Sequence, residues 1–215
     1  MQNTSGARKL LSFAFLYESF QYIVGARRAR GWIAEHLWKC PERARVVDMG
    51  CGPGSTLEYL PPNVHYAGYD ISSEYIRSAS EKYQGRPDTF FHIATARTLL
   101  EAPNPRFENA DLLICKGLLH HLDEKEVLET LELAQMLMAP EGRLVIVEPT
   151  FLVHQSALSR LIMNQDRGLY IRTEALWKQL VGSVFESFST SIATSLTRIP
   201  YVHIFIECRS KTTTL

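Results

Sequence analysis

A chain of 215 residues, 46% apolar and 21% charged, has the mass and composition of one globular domain with a sizeable core, which excludes a disordered or repetitive protein. Its 23 basic residues balance its 23 acidic ones, and that argues against a nucleic-acid partner, whose phosphates draw a basic excess. Cys40, Cys51, Cys115 and Cys208 lie far apart with no CxxC pair, so neither a zinc site nor a disulfide framework is expected, and free thiols in a reducing cytoplasm fit best.

In chain order, Arg8 and Lys9 precede an apolar run over residues 10–16, and Val24-Gly25-Ala26 imitates a signal-peptide cleavage site. Glu18 and Gln21 interrupt that run, which is also too short to span a bilayer. No membrane insertion is expected. Phe13, Leu16, Phe20 and Ile23 recur at helical spacing and predict an amphipathic helix packed on the domain. Residues 1–44 are therefore expected to form a helical cap on a core of residues 45–215.

From residue 45 the pattern is strand, turn and helix, repeated. Residues 45–48 read as a strand entering a glycine-rich turn, and residues 55–60 as a helix that Pro61-Pro62 must stop. Residues 64–69 form the second expected strand. Ser72 then caps a helix carrying Tyr75, Ile76, Ala79 and Tyr83, and Gly85 ends it. Residues 89–93 are a third strand, followed by an irregular stretch to Asn109. Residues 111–115, nearly all apolar, suit a strand buried on both faces. Asp123 and Glu126 make a capping box for a helix with Val127, Leu131, Ala134 and Met138. Pro140-Glu141-Gly142 leads into a fifth strand, residues 143–147. Residues 155–163 and 174–181 read as helices, and residues 185–192 and 201–207 as a closing hairpin at the sheet's edge.

Alternating strands and helices imply a doubly wound, mostly parallel α/β sheet of Rossmann-like type. Ligands in such sheets sit at the carboxyl ends of the strands, near the switch in strand order. The informative residues are those just after each strand.

After the first strand comes Asp48-Met49-Gly50-Cys51-Gly52-Pro53-Gly54. The glycines Gly50, Gly52 and Gly54 let the backbone turn tightly and approach a ligand with no Cβ in the way. A dinucleotide fingerprint requires G-x-G-x-x-G, whereas this turn is G-x-G-x-G with an acid two residues ahead. That spacing favours a zwitterionic amino acid over a pyrophosphate. After the second strand comes Tyr69-Asp70-Ile71-Ser72; Asp70 can accept hydrogen bonds from ribose hydroxyls, or merely open the helix cap. The fourth strand runs into Lys116-Gly117-Leu118-Leu119-His120-His121, and the fifth into Glu148-Pro149.

Together these segments, over residues 45–150, resemble the class I S-adenosylmethionine-dependent methyltransferases, and the fourth is similar to the small-molecule enzymes of quinone biosynthesis. The resemblance implies a seven-stranded sheet with an antiparallel last strand, S-adenosylmethionine as cofactor, and methyl transfer to a small-molecule acceptor. It places Asp48, Gly50, Gly52, Gly54, Asp70, Ile71 and Lys116 around the cofactor, with Asp48 toward its ammonium and Ile71 toward adenine. A preceding helix closes over the cofactor in related enzymes, and here it offers Tyr17, Tyr22, Arg27 and Arg28. The acid-Pro-Pro-aromatic pattern of base-amine enzymes and the Pro-Cys of cytosine-carbon enzymes are both missing, and Cys115 reads as core. Lys116 stands where catechol-type enzymes place the first magnesium-holding acid, so no metal is implied.

His120 and His121 are the candidate general bases, needed only where the acceptor must lose a proton; a histidine at a helix entry also serves in packing. His154 and His203 cannot be placed relative to the site. Glu148 is either a substrate ligand or a loop anchor. Within Asp166-Arg167-Gly168-Leu169-Tyr170-Ile171-Arg172, the side chains Arg167, Tyr170 and Arg172 suit an acidic or aromatic acceptor. The alternative is a helix-connecting turn tied by an ion pair of Asp166. Two other functions remain open: a cofactor-binding protein without transferase activity, and, less favoured by the glycine spacing, a nicotinamide dehydrogenase.

Overall fold

The computed structural model describes residues 26–166 and 168–210. Its strands are β1 (Arg45–Met49), β2 (His65–Asp70), β3 (Thr89–Ile93), β4 (Ala110–Lys116), β5 (Met138–Phe151), β6 (Arg172–Thr173), β7 (Phe188–Ala193) and β8 (His203–Arg209). They form one sheet in the order β3-β2-β1-β4-β5-β8-β7, and β6 pairs with the far end of β5 off this path. The order reverses between β1 and β4, which are parallel neighbours with Met49 opposite Cys115. Their carboxyl ends therefore frame the switch point. β8 runs antiparallel to both β5 and β7. The expected architecture, a mostly parallel sheet with an antiparallel last strand, is the observed one, with the two-residue β6 added.

The helices are α1 (Ala26–His36), α2 (Ser73–Lys82), α3 (Ala96–Glu101), α4 (Glu124–Leu137), α5 (Ala157–Met163) and α6 (Glu174–Gly182). Side-chain alternation along the strands divides the core in two. Val47, Leu113, Cys115, Leu144 and Ile146 pack with Leu99 of α3, Leu131 of α4 and Trp177 of α6. Val46, Leu112, Ile114, Val145 and Val147 pack on the other face with Ile33 of α1, Trp38 and Leu57. Cys115 is core, 1% exposed. Arg143 of β5 donates to the carbonyls of Leu37 and Lys39, each at 2.7 Å, fixing the chain between α1 and β1.

Several local expectations are corrected. Residues 55–60 form a five-residue 3-10 helix, Ser55–Tyr59, because the turn ends at Gly54 and Pro61 follows at once. The stretch read as irregular contains α3, whose Thr95 cap and Thr98 form a reciprocal capping box with threonine in place of the usual glutamate. β5 is 14 residues long, extending past Val147 to Phe151. β7 starts only at Phe188, since Phe185 closes α6 by donating to the Val181 carbonyl. The helix expected around Phe13–Ile23, with Tyr17 and Tyr22, lies outside the described residues. No helix among the described residues is long and apolar enough to cross a membrane.

Candidate active site

The turn after β1 needs its glycines for three different reasons. All three adopt left-handed backbone, with φ of +70° at Gly50, +53° at Gly52 and +74° at Gly54. A Cβ on Gly54 would press on the rings of Tyr83 and Phe91, and one on Gly50 on the Leu118 side chain. A Cβ on Gly52 would meet nothing within 4 Å among the described residues. The turn is pinned to β2: Gly50 and Cys51 both donate to the Tyr69 carbonyl at 2.9 Å. Gly52 N–H donates to Asp70 Oδ2 at 2.9 Å.

Asp70 thus holds the turn with one carboxylate oxygen, and with the other accepts the Ser72 N–H at 2.8 Å. Both sequence readings of it apply, because the carboxylate ends β2 at the turn and also tightens the entry to α2. Ile71 is 74% exposed beside it. Asp48 departs from expectation. It is 2% exposed and accepts the Tyr66 hydroxyl at 2.7 Å, and burial pushes its carboxyl up. Its observed role is to brace β1 against β2 from within, and it presents no open carboxylate to a ligand's ammonium. Lys116, half-buried at the end of β4, has no hydrogen bond from Nζ among the described residues. Burial, reinforced by Arg30, lowers its pKa against the pull of Asp48 and Glu148.

Beyond β4 and β5 lies a second, tightly bonded group. Glu148 is fully buried. Its Oε1 accepts the N–H groups of Leu118 and Leu119 at 2.8 Å, and its Oε2 lies 2.6 Å from His120 Nδ1. It is therefore the loop anchor rather than a substrate ligand, because every oxygen is spent on the turn after β4. On the far side of the ring, His120 Nε2 lies 3.3 Å from Asp166 Oδ1, and Asp166 Oδ2 accepts the Tyr201 hydroxyl at 2.7 Å. Burial opposes the charge on His120, but Asp166 and Glu148 outweigh it and push the pKa up to about 9. Burial also opposes the charge on Asp166, yet His120, Tyr201 and the Gly168 N–H hold its carboxyl well below the usual range.

This geometry counts against the general-base expectation for His120: both ring nitrogens face carboxylates, which favour the charged imidazolium over a form with a lone pair free to take a proton. His121, exposed, with its ring tilted 40° and 4.1 Å from that of His120, is the reverse case. Burial and the neighbouring His120 charge lower its pKa, which favours the neutral ring that can accept a proton.

Arg172 is corrected as well. It is 4% exposed, and its guanidinium donates to the carbonyls of Leu119 at 2.9 Å, Leu122 at 2.7 Å and Tyr170 at 3.1 Å, over the Trp177 ring. Buried and with three of its five N–H donors on backbone carbonyls, Arg172 staples the turn after β4 and does not present an open fork to an acceptor's carboxylate. Tyr170 remains exposed, and Arg167 lies outside the described residues. His154 and Arg28 are exposed, whereas His203 has a buried Nδ1 with no hydrogen-bond partner among the described residues, and burial lowers its pKa to about 4. Sequence reasoning tied Asp166 to a neighbour and missed Tyr201. Their partners lie 46 and 35 residues away, beyond any local pattern.

Residues 47–144 match the family model described as a methyltransferase domain. Trans-aconitate 2-methyltransferase of Variovorax paradoxus is 39% identical over 75 residues, covering 34% of this chain and 29% of that one. The chain spans 29% to 66% of the length of the curated relatives it matches. Among solved structures, magnesium protoporphyrin IX methyltransferase of Synechocystis, with bound S-adenosylhomocysteine, superposes with a TM-score of 0.63 at 20% identity, over 89% of this chain and 87% of that one. Human N-acetylserotonin methyltransferase in complex with S-adenosylmethionine gives 0.62 at 21% identity, over 87% of this chain and 52% of that one. These likenesses establish the fold.

Proposed function

We propose that the chain transfers a methyl group from S-adenosylmethionine to a small-molecule acceptor, since residues 47–144 match a methyltransferase-domain model and the fold is like that of methyltransferases solved with S-adenosylmethionine or S-adenosylhomocysteine. The observation that carries this reading is the open side of Gly52, which bonds the Asp70 carboxylate at the switch point, with the exposed Ile71 next to Asp70 in the chain. The residues fit the cofactor: Gly52 leaves room against bare backbone, Asp70 offers its carboxylate to ribose hydroxyls, and Ile71 offers an apolar surface to adenine. When bound, S-adenosylmethionine supplies an electrophilic methyl group together with its own leaving group.

The chain's residues then have mainly to bind and orient, since alignment for in-line attack supplies much of the rate. Lys116, at the end of β4, would be a residue beside the bound cofactor. His121 takes up a proton where the acceptor's nucleophile must lose one. Balanced charge and four free thiols support a cytoplasmic enzyme acting on small molecules rather than nucleic acid.

Calorimetric titration with S-adenosylmethionine and with NAD tests the reading. S-adenosylmethionine binds and NAD does not; binding of NAD alone would overturn it. Asp70→Ala is expected to keep the fold and bind the donor about tenfold to a hundredfold less tightly, as the loss of charge-assisted hydrogen bonds requires. Equal affinities in variant and parent would remove Asp70 from the site.

A further inference from the structure

Two segments distant in sequence from it meet at His120. Glu148 holds its ring from β5, Asp166 holds it from the chain after α5, and Gly168 lies so close that a Cβ there would collide with the ring. The Tyr170 N–H donates to the His120 carbonyl at 2.9 Å, and the Gly168 N–H to Asp166 Oδ1 at 2.8 Å. We propose that His120 is a positioning residue for the acceptor side of the site: gripped by Glu148 and Asp166, it fastens Asp166, Gly168 and Tyr170 across the carboxyl ends of β4 and β5 and so sets the wall the acceptor meets. This rests on the methyltransferase reading for the word acceptor, and on the geometry alone for the fastening.

The fastening depends on charge. Facing the ring are Glu148 from β5, Asp166 from the chain after α5 and His121 from its own turn. Around them stand Tyr201 and His203 at the start of β8, Lys116 at the end of β4 and Arg172 of β6. Asp166 stays charged through neutrality, while burial first, and Asp166 next, push the Tyr201 phenol well up. The folded value of His120, about 9, lies above the ordinary value of about 6.5. Its contribution is therefore full below about pH 6.5 and is lost as pH rises through about 9.

The test follows the His120 ring and the Gly168 and Tyr170 amides by NMR in the parent, in His120→Gln and in Asp166→Asn. The parent ring titrates near pH 9, and the Tyr170 amide shift follows the same transition, which His120→Gln abolishes. At pH 7 both variants exchange the Tyr170 amide at least about tenfold faster, as loss of a charge-assisted bond implies, while the Val127 amide of α4 is unchanged. Calorimetry gives Asp166→Asn the parent's affinity for S-adenosylmethionine. A ring titrating near pH 6.5, unaltered Tyr170 exchange in both variants, or a tenfold loss of donor affinity in Asp166→Asn would each overturn the proposal. A parent that binds no S-adenosylmethionine would instead sink the methyltransferase reading and leave the NMR result to judge the fastening.

Discussion

Glu148→Ala is expected to destabilise the protein by about 3–5 kcal/mol, the range for breaking a buried ion pair from one side. The carboxylate is fully buried and serves the N–H groups of Leu118, Leu119 and His120 as well as the His120 ring. Alanine leaves those donors in an apolar interior, where each unsatisfied group costs about 1–3 kcal/mol. Asp166 still neutralises part of the imidazolium, which keeps the loss within the stated range. For a chain of this length the melting temperature should fall by roughly 10 °C, at about 2–4 °C for each kcal/mol. Glu148→Gln, which retains an acceptor oxygen, should lose less. Urea unfolding that showed less than about 1 kcal/mol for the alanine variant would mean that the turn after β4 does not depend on this anchor.

The second large effect concerns binding rather than stability. Gly52→Val should reduce S-adenosylmethionine affinity below calorimetric detection. Gly52 has φ +53°, so any side chain there is strained, and a β-branched one most of all. The added atoms would nevertheless meet nothing within 4 Å among the described residues; they would enter the space assigned to the donor. The variant should thus fold, with a circular dichroism spectrum like the parent's. Gly54→Val is the control with the opposite signature, since its side chain would strike Tyr83 and Phe91 and lower stability directly. A folded Gly52→Val protein that still gained thermal stability from added S-adenosylmethionine would show that the turn does not bind as proposed.

The contrast between these sites shows what the sequence makes legible. β3 matches its expected bounds and β1, β2 and β4 come within a residue or two, because each is a short apolar run next to a turn signal. Ser72 and the Asp123–Glu126 box cap their helices as the local pattern predicts. α3 escapes because it has only six residues and one turn of apolar periodicity, and its box uses Thr98 where glutamate is usual. The glycine turn and Asp70 are readable because their geometry is local or set by one βαβ unit. Glu148, His120, Asp166 and Arg172 are not. Their roles come from partners 28 to 53 residues distant, so the same residue types read equally well as ligands, bases or anchors until the chain is folded. Arg172 illustrates the ambiguity: an arginine fit for an acceptor's carboxylate is instead buried, with three of its donors on backbone carbonyls.

The central claim is that the open turn at Gly52 delivers a methyl donor to a small acceptor. Incubation of the purified chain with methyl-labelled S-adenosylmethionine and a size-fractionated cell extract tests it most directly. The label should pass to low-mass compounds with the parent protein, and Gly52→Val should transfer none. Transfer to macromolecules only, no transfer from any fraction, or equal transfer by the Gly52→Val variant would contradict the account.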